Sequence, residues 1–161
     1  MRAMTDRSFR REKFVANAPL APLETEEQLD AQMTTPTPEV EAAVRELGGD
    51  ILILGIAGKM GPSLGELLLK AGAKRVIGVS RFSNPDSRQD LEDRGIDTVQ
   101  ADLLDETALA GLPDAPYVYQ MAGHKFGATG NEPLTWAMNT LLPAQVVSRY
   151  RNSRIVLARS W

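Results

Sequence analysis

The chain changes character near residue 50. Before that point polar residues and prolines break up any regular pattern, and after it short apolar runs alternate with segments of helical spacing. The first run, Ile51-Leu52-Ile53-Leu54, is too short for a buried helix and is bounded by Asp50 and Gly55, so it reads as a strand buried on both faces. Met60, Leu64, Leu67, Leu68 and Ala71 then recur every three or four positions. Pro62 stands in the first turn of that helix, where its missing N–H costs nothing, and Gly72 closes it. The alternation continues with a strand at 75–79, a polar helix at about 86–94 ended by Gly95, and a strand at 96–100. A short helix at 105–109, a strand at 117–121, a long apolar helix at 134–149 and a strand at 154–158 follow.

Such alternation demands an α/β fold: a doubly wound parallel sheet with right-handed crossovers and helices on both faces. The implied strand order is 3-2-1-4-5, which puts the ligand crevice at the carboxyl ends of strands 1 and 4. Upstream, residues 1–35 are expected to form an irregular arm, with Pro19 and Pro22 inside it and Pro36 and Pro38 just after it interrupting any helix. The arm is basic first (Arg2, Arg7, Arg10, Arg11, Lys13) and acidic next (Glu24, Glu26, Glu27, Asp30). A loosely docked arm is the simpler reading of it, a binding tail the other. Residues 36–49 hold a short helix and linker, with Val40, Ala43, Val44 and Leu47 on one face and Gly48-Gly49 as the stop. Residues 50–161 make the one α/β domain.

Composition narrows the function by exclusion. A formal net charge of -3 over 161 residues points to neither nucleic acid nor a membrane surface as partner. No cysteine is present, which removes disulfides and thiolate chemistry and fits a cytoplasmic protein. No apolar run approaches the roughly 20 residues of a membrane span, and the basic start has no apolar core behind it, unlike a secretory signal.

The candidate chemistry sits at the strand ends. Gly55, Gly58 and Gly61 punctuate the turn between the first strand and the first long helix, with Lys59 and Met60 between the last two. Glycines let the main chain approach a pyrophosphate without a Cβ in the way, and the unpaired N–H groups of a helix start face the anion. A tight strand–helix turn without such a ligand is the alternative, as is another phosphate ligand. At the end of the second strand, where an acid commonly holds a ribose 2′-hydroxyl, stands Ser80-Arg81. A guanidinium beside a hydroxyl suits a 2′-phosphate and so favours NADP over NAD, although a solvated loop arginine would look the same.

Asp102-Leu103, just past the third strand, is placed to meet an adenine ring or to cap the helix after it. The fourth strand runs into Met121-Ala122-Gly123-His124, small enough for a ribose to lie against the backbone. His124, the one histidine, can touch ligand there, but a loop histidine without catalytic duty is the preferred reading. Asn139 is a poor helix former in an apolar helix, which a side-chain bond to the neighbouring strand would explain; surface placement is the alternative.

Taken together, this order of motifs resembles the amino-terminal half of an extended short-chain dehydrogenase/reductase, of the NAD-dependent epimerase/dehydratase group, over about residues 50–158. The resemblance implies a Rossmann-type sheet, here cut off after about five strands. It also implies a nicotinamide dinucleotide held by Gly55, Gly58, Lys59, Met60, Gly61, Ser80, Arg81, Asp102, Leu103, Met121, Ala122 and Gly123, and hydride chemistry on a nucleotide sugar or similar small molecule.

The departure is equally specific. That family acts through a serine or threonine after the fifth strand and a Tyr-x-x-x-Lys pair, whereas the tyrosines here are Tyr117, Tyr119 and Tyr150, none with lysine four residues on. Tyr150 is followed by Arg154, and Ser160 lies in an ending, Arg159-Ser160-Trp161, unlike the family's small hydroxyl run. The expectation is a truncated or frameshifted gene product that is inactive, with a dinucleotide-binding sensor or scaffold as the alternative. An open edge at the fifth strand beside apolar surface from Trp136, Met138, Leu141 and Val146 predicts self-association.

Overall fold

The structure, a computed structural model, describes residues 22–124 and 130–158. The basic residues expected in the first part of the arm, and Arg159, Ser160 and Trp161, lie outside the described residues.

The strands are β1 (Ile51–Leu54), β2 (Val76–Ser80), β3 (Asp97–Gln100), β4 (Tyr117–Gln120) and β5 (Arg154–Leu157). All pair in parallel, in the order β3-β2-β1-β4-β5. Two-residue alternation explains how this sheet divides the core. Leu52 and Leu54 of β1 point to one side, with Ile77, Val79 and Val118, while Ile51 and Ile53 point to the other with Val76. Helices α2 (Pro38–Arg45), α3 (Gly61–Lys70) and α4 (Pro85–Asp93) cover the second side, contributing Val44, Leu68 and Leu91. On the first side lie α5 (Glu106–Ala110) and the long helix before β5, with Leu109, Leu142 and Val146. This is a Rossmann-like α/β sheet with both faces covered, as the strand and helix alternation demands.

Two elements depart from the sequence expectation. Within the segment expected to be irregular, α1 (Glu26–Met33) is helical, capped by Thr25, whose side chain accepts the Gln28 N–H. None of its residues is buried. It is held instead by charge: Asp30 pairs with Arg94 at 3.0 Å and accepts from Ser63, and the Lys70 ammonium donates to Thr34 at the α1 carboxyl end. No apolar periodicity marks this helix in the sequence, because packing does not make it.

The long helix is interrupted. It consists of α6 (Glu132–Trp136), a π turn (Ala137–Leu141) and α7 (Leu142–Arg149). Pro143 has no N–H to give to the Asn139 carbonyl and its ring crowds that carbonyl, so the preceding turn widens, and the Leu142 N–H bonds five residues back to Ala137. The apolar surface expected on this helix is also corrected. Val146 is buried and Met138 half-buried, while Trp136, Leu141 and Val147 are exposed, with Val156 and Leu157 exposed on β5. The wider π turn rotates the residues after it relative to an uninterrupted helix.

Candidate functional site

The carboxyl ends of β1, β2, β3 and β4 open into one cleft of about 380 Å³. It lies where the chain order reverses, with β1 between β2 and β4. Gly55, Ala57, Gly58, Ser80, Arg81, Asp102, Leu103, Met121, Ala122 and Gly123 line it, so most of the residues singled out from the sequence meet at one place. Lys59, Met60 and Gly61 do not reach its wall.

The glycine turn is built from the end of β1. The Gly55 and Ile56 N–H groups both donate to the Val79 carbonyl, at 2.8 and 3.2 Å, which ties the turn to β2. Gly55 has φ +87, and an added Cβ there would meet the Ala122 backbone nitrogen at 2.5 Å. Its lack of a side chain lets the ends of β1 and β4 approach. At Gly61 an added Cβ would collide with the Ile56 carbonyl, so this glycine serves the packing of α3 on the turn and is buried. Gly58 differs from both: an added Cβ there meets only the Gly55 oxygen, at 3.3 Å. Its constraint within the chain is mild, and the open side is the cleft. Among the described residues the N–H groups of Ala57, Lys59 and Met60 donate to no protein acceptor, and α3 starts without a side-chain cap. A helix start with spare donors is what an anion needs.

At β2 and β3 the strand ends supply polar groups. Ser80 and Arg81 line the cleft together with Asp102, from the adjacent ends of β2 and β3, and the Arg81 guanidinium forms no ion pair among the described residues. Asp102 is exposed, and its Oδ1 accepts the Leu104 N–H at 3.0 Å. The helix cap of α5 is Asp105, which accepts from Thr107 and Ala108. Asp102 therefore shapes the turn while its carboxylate stays at the cleft, and the Leu103 side chain is mostly committed to the core.

The β4 side is fixed by Asn139. Its Oδ1 accepts the His124 N–H at 2.9 Å and its Nδ2 donates to the His124 carbonyl at 2.6 Å. The side-chain bond that Asn139 was expected to make is present, directed to the loop just past β4 rather than to the strand. His124 lines the cleft along with Leu134 and Met138 from α6 and the π turn. Ala57, Ala101, Leu104 and Leu134 were not singled out from the sequence, and Met138 was expected as apolar surface of the long helix rather than cleft wall, although Leu134 and Met138, four apart, carry the i,i+4 signal of a shared helix face. No tyrosine lines the cleft. Tyr150 is buried on the far side under α5, donating its hydroxyl to the Pro113 carbonyl at 3.1 Å, and burial pushes its phenol above the ordinary value. Among the described residues no group of three or more His, Cys, Asp or Glu could hold a metal ion. No described helix is long and apolar enough to cross a membrane.

Sheet order and glycine turn together define a Rossmann-type α/β domain with its cleft at the topological switch point. The chain belongs to the NAD dependent epimerase/dehydratase family, which matches residues 51–160. Among solved structures it is similar to an epimerase from Methanothermobacter thermautotrophicus, at 26% identity and a TM-score of 0.57 over 74% of this chain and 37% of that one. The fold is also shared with UDP-glucuronic acid 4-epimerase from Bacillus cereus, in complex with UDP-glucuronic acid and NAD (23% identity, TM-score 0.52, 66% of this chain and 37% of that one). A third is the enzyme WbmF from Bordetella bronchiseptica, in complex with NAD+ and UDP (18%, TM-score 0.55, 71% and 36%). The chain thus spans well under half the length of these relatives. No curated protein matches it.

Proposed function

We propose that the chain binds a nicotinamide dinucleotide in the cleft at the switch point. The observation that carries this reading is the glycine turn, where Gly58 is open to the cleft and the N–H of Ala57, which lines it, is unspent just before an uncapped helix. These suit a pyrophosphate. Gly55 and Gly58 would form its floor, Asp102 would face the adenine side, and Met121, Ala122 and Gly123 the nicotinamide-side ribose. Arg81 with Ser80 favours the 2′-phosphate of NADP, since a guanidinium pairs with a phosphate and no carboxylate of β2 opposes it. The complexes of the two enzymes named above, one with NAD and UDP-glucuronic acid and the other with NAD+ and UDP, support a nicotinamide dinucleotide in kind.

When bound, the nicotinamide supplies hydride exchange with a small-molecule substrate. What this chain's own residues supply is binding and orientation. The sequence has no Tyr-x-x-x-Lys pair, and Tyr150 is committed to Pro113, so the chain by itself binds cofactor without turnover. That same observation favours a sensor or scaffold role as the second reading. The exposed apolar side chains of Trp136, Leu141 and Val147, with Val156 and Leu157 of β5, support self-association.

Fluorescence titration with NADPH and NADH tests the reading. Binding of NADPH, abolished by Gly58→Val, is expected, with no turnover of nucleotide sugars at saturating cofactor. Absence of binding to either cofactor would overturn it, and measurable turnover would overturn the inactive-binder part.

A further inference from the structure

The backbone that carries Arg81 is held in an unusual way. In the parallel ladder between β2 and β3, Ser80 and Gln100 are register partners, and the last main-chain rung is the Ala101 N–H on the Ser80 carbonyl at 3.0 Å. The next carbonyl, that of Arg81, is taken by a side chain: the Gln100 Nε2 donates to it at 2.8 Å. One residue further, Phe82 adopts φ 47, a left-handed conformation that a bulky residue rarely takes. Its ring is 7% exposed and packs into the core on the α3 side, with the Arg88 guanidinium 5.9 Å from its centroid. Arg88 is itself tied to Glu92 and Thr98. Arg81 is thus clamped on both sides, by an amide on its own carbonyl and by a buried ring on the next residue, while Arg81 itself stands at the cleft.

A strained turn held by two anchors fits a position whose side chain has to be aimed. Gln100 is exposed and makes no other side-chain bond among the described residues, so its amide contributes little apart from this rung. We propose that Gln100 is a positioning residue for Arg81: its side-chain amide extends the sheet by one rung and thereby sets the preference for the 2′-phosphorylated dinucleotide. This rests on the reading of Arg81 as the 2′-phosphate ligand. Gln100 touches the Arg81 main chain and acts through the direction it gives the guanidinium.

The experiment uses the full chain and four proteins: parent, Gln100→Met, Arg81→Ala and the double variant. Methionine keeps the length and removes the donor. NADPH and NADH affinities are measured by fluorescence titration, and thermal melting is followed for each protein. Gln100→Met is expected to weaken NADPH by about 3- to 10-fold, the size of one lost hydrogen bond, with NADH affinity unchanged and the melting temperature lowered only slightly for the rung lost from the folded chain. In the double variant it should add nothing to the loss from Arg81→Ala. A Gln100→Met protein whose NADPH affinity is unchanged, or that loses both cofactors equally, overturns the positioning role. Should Arg81→Ala leave NADPH binding intact, the 2′-phosphate reading itself fails and takes the positioning role with it. A selective loss in Arg81→Ala but not in Gln100→Met overturns the positioning role alone.

Discussion

The side-chain amide of Asn139 meets the backbone of His124 with both of its ends, accepting the N–H at 2.9 Å and donating to the carbonyl at 2.6 Å. Asn139 lies in the π turn of the long helix, and His124 lies one residue past Gly123 at the cleft. A loop with no strand partner beyond β4 is in this way given a substitute for sheet pairing. Asn139→Ala leaves two half-buried backbone groups without partners. It should cost about 1–3 kcal/mol, read by urea denaturation, and should weaken cofactor binding through the Met121–Gly123 wall. Asn139→Asp keeps the acceptor and loses the donor, so an intermediate loss is expected.

Gly58 and Gly61 should separate binding from folding. At Gly61 a Cβ would run into the Ile56 carbonyl, so Gly61→Ala should destabilise by at least ~1–3 kcal/mol, the usual range for overpacking. Gly58→Ala meets only the Gly55 oxygen at 3.3 Å and should melt close to the parent while binding NADPH and NADH less well. Melting curves and titrations on the two variants check this; equal melting temperatures would show that α3 shifts to accept a Cβ at Gly61.

Helix α1 is held by Arg94, which reaches Asp30 of α1, Glu66 of α3 and Asp90 of α4. Because these side chains are partly exposed, the clasp is worth only about 1 kcal/mol after solvent screening and weakens with salt. Arg94→Met should raise amide exchange over residues 26–33 while leaving β1 and β2 protected. Adding salt to the parent should move the same amides in the same direction.

Tyr150 should produce an alkaline step in stability. Burial raises its phenol above the ordinary 10.0, so the folded state favours the neutral form. This stabilisation is complete below the unfolded value near 10 and is lost as pH rises through the higher folded value. Tyr150→Phe loses the bond to Pro113, about 0.5–1.5 kcal/mol at neutral pH, but its stability should fall less steeply above pH 10. Denaturation at a series of alkaline pH values on both proteins gives the comparison.

The exposed apolar residues of the long helix should respond to polarity. Trp136 and Leu141 are 65% and 52% exposed, so Trp136→Gln with Leu141→Gln removes apolar surface without touching the core. Sedimentation should show the parent associating and the double variant shifting toward monomer. A parent that is monomeric at high concentration would end the self-association proposal.

The order of elements from residue 50 onward was legible in the sequence because buried parallel strands and core-facing helices each impose a period, and β1 through β5 fall within a residue or two of where those periods put them. The glycine turn, Ser80-Arg81, Asp102 and the segment after β4 were legible as neighbours for the same reason: a fixed strand order brings the carboxyl ends together whatever the loops contain. What periodicity could not carry depended on contacts between residues far apart in the chain. Helix α1 forms from a cap and an ion pair to Arg94, sixty-odd residues away, and leaves no apolar stripe to read. The π turn moves Val146 inward and leaves Leu141 outside, a rotation that follows from Pro143 within a packed helix. The three glycines look alike in sequence. Only the tertiary structure separates them, because what matters at each is which atom stands where its Cβ would be: the Ala122 backbone at Gly55, the Ile56 carbonyl at Gly61, and little beyond the Gly55 oxygen at Gly58.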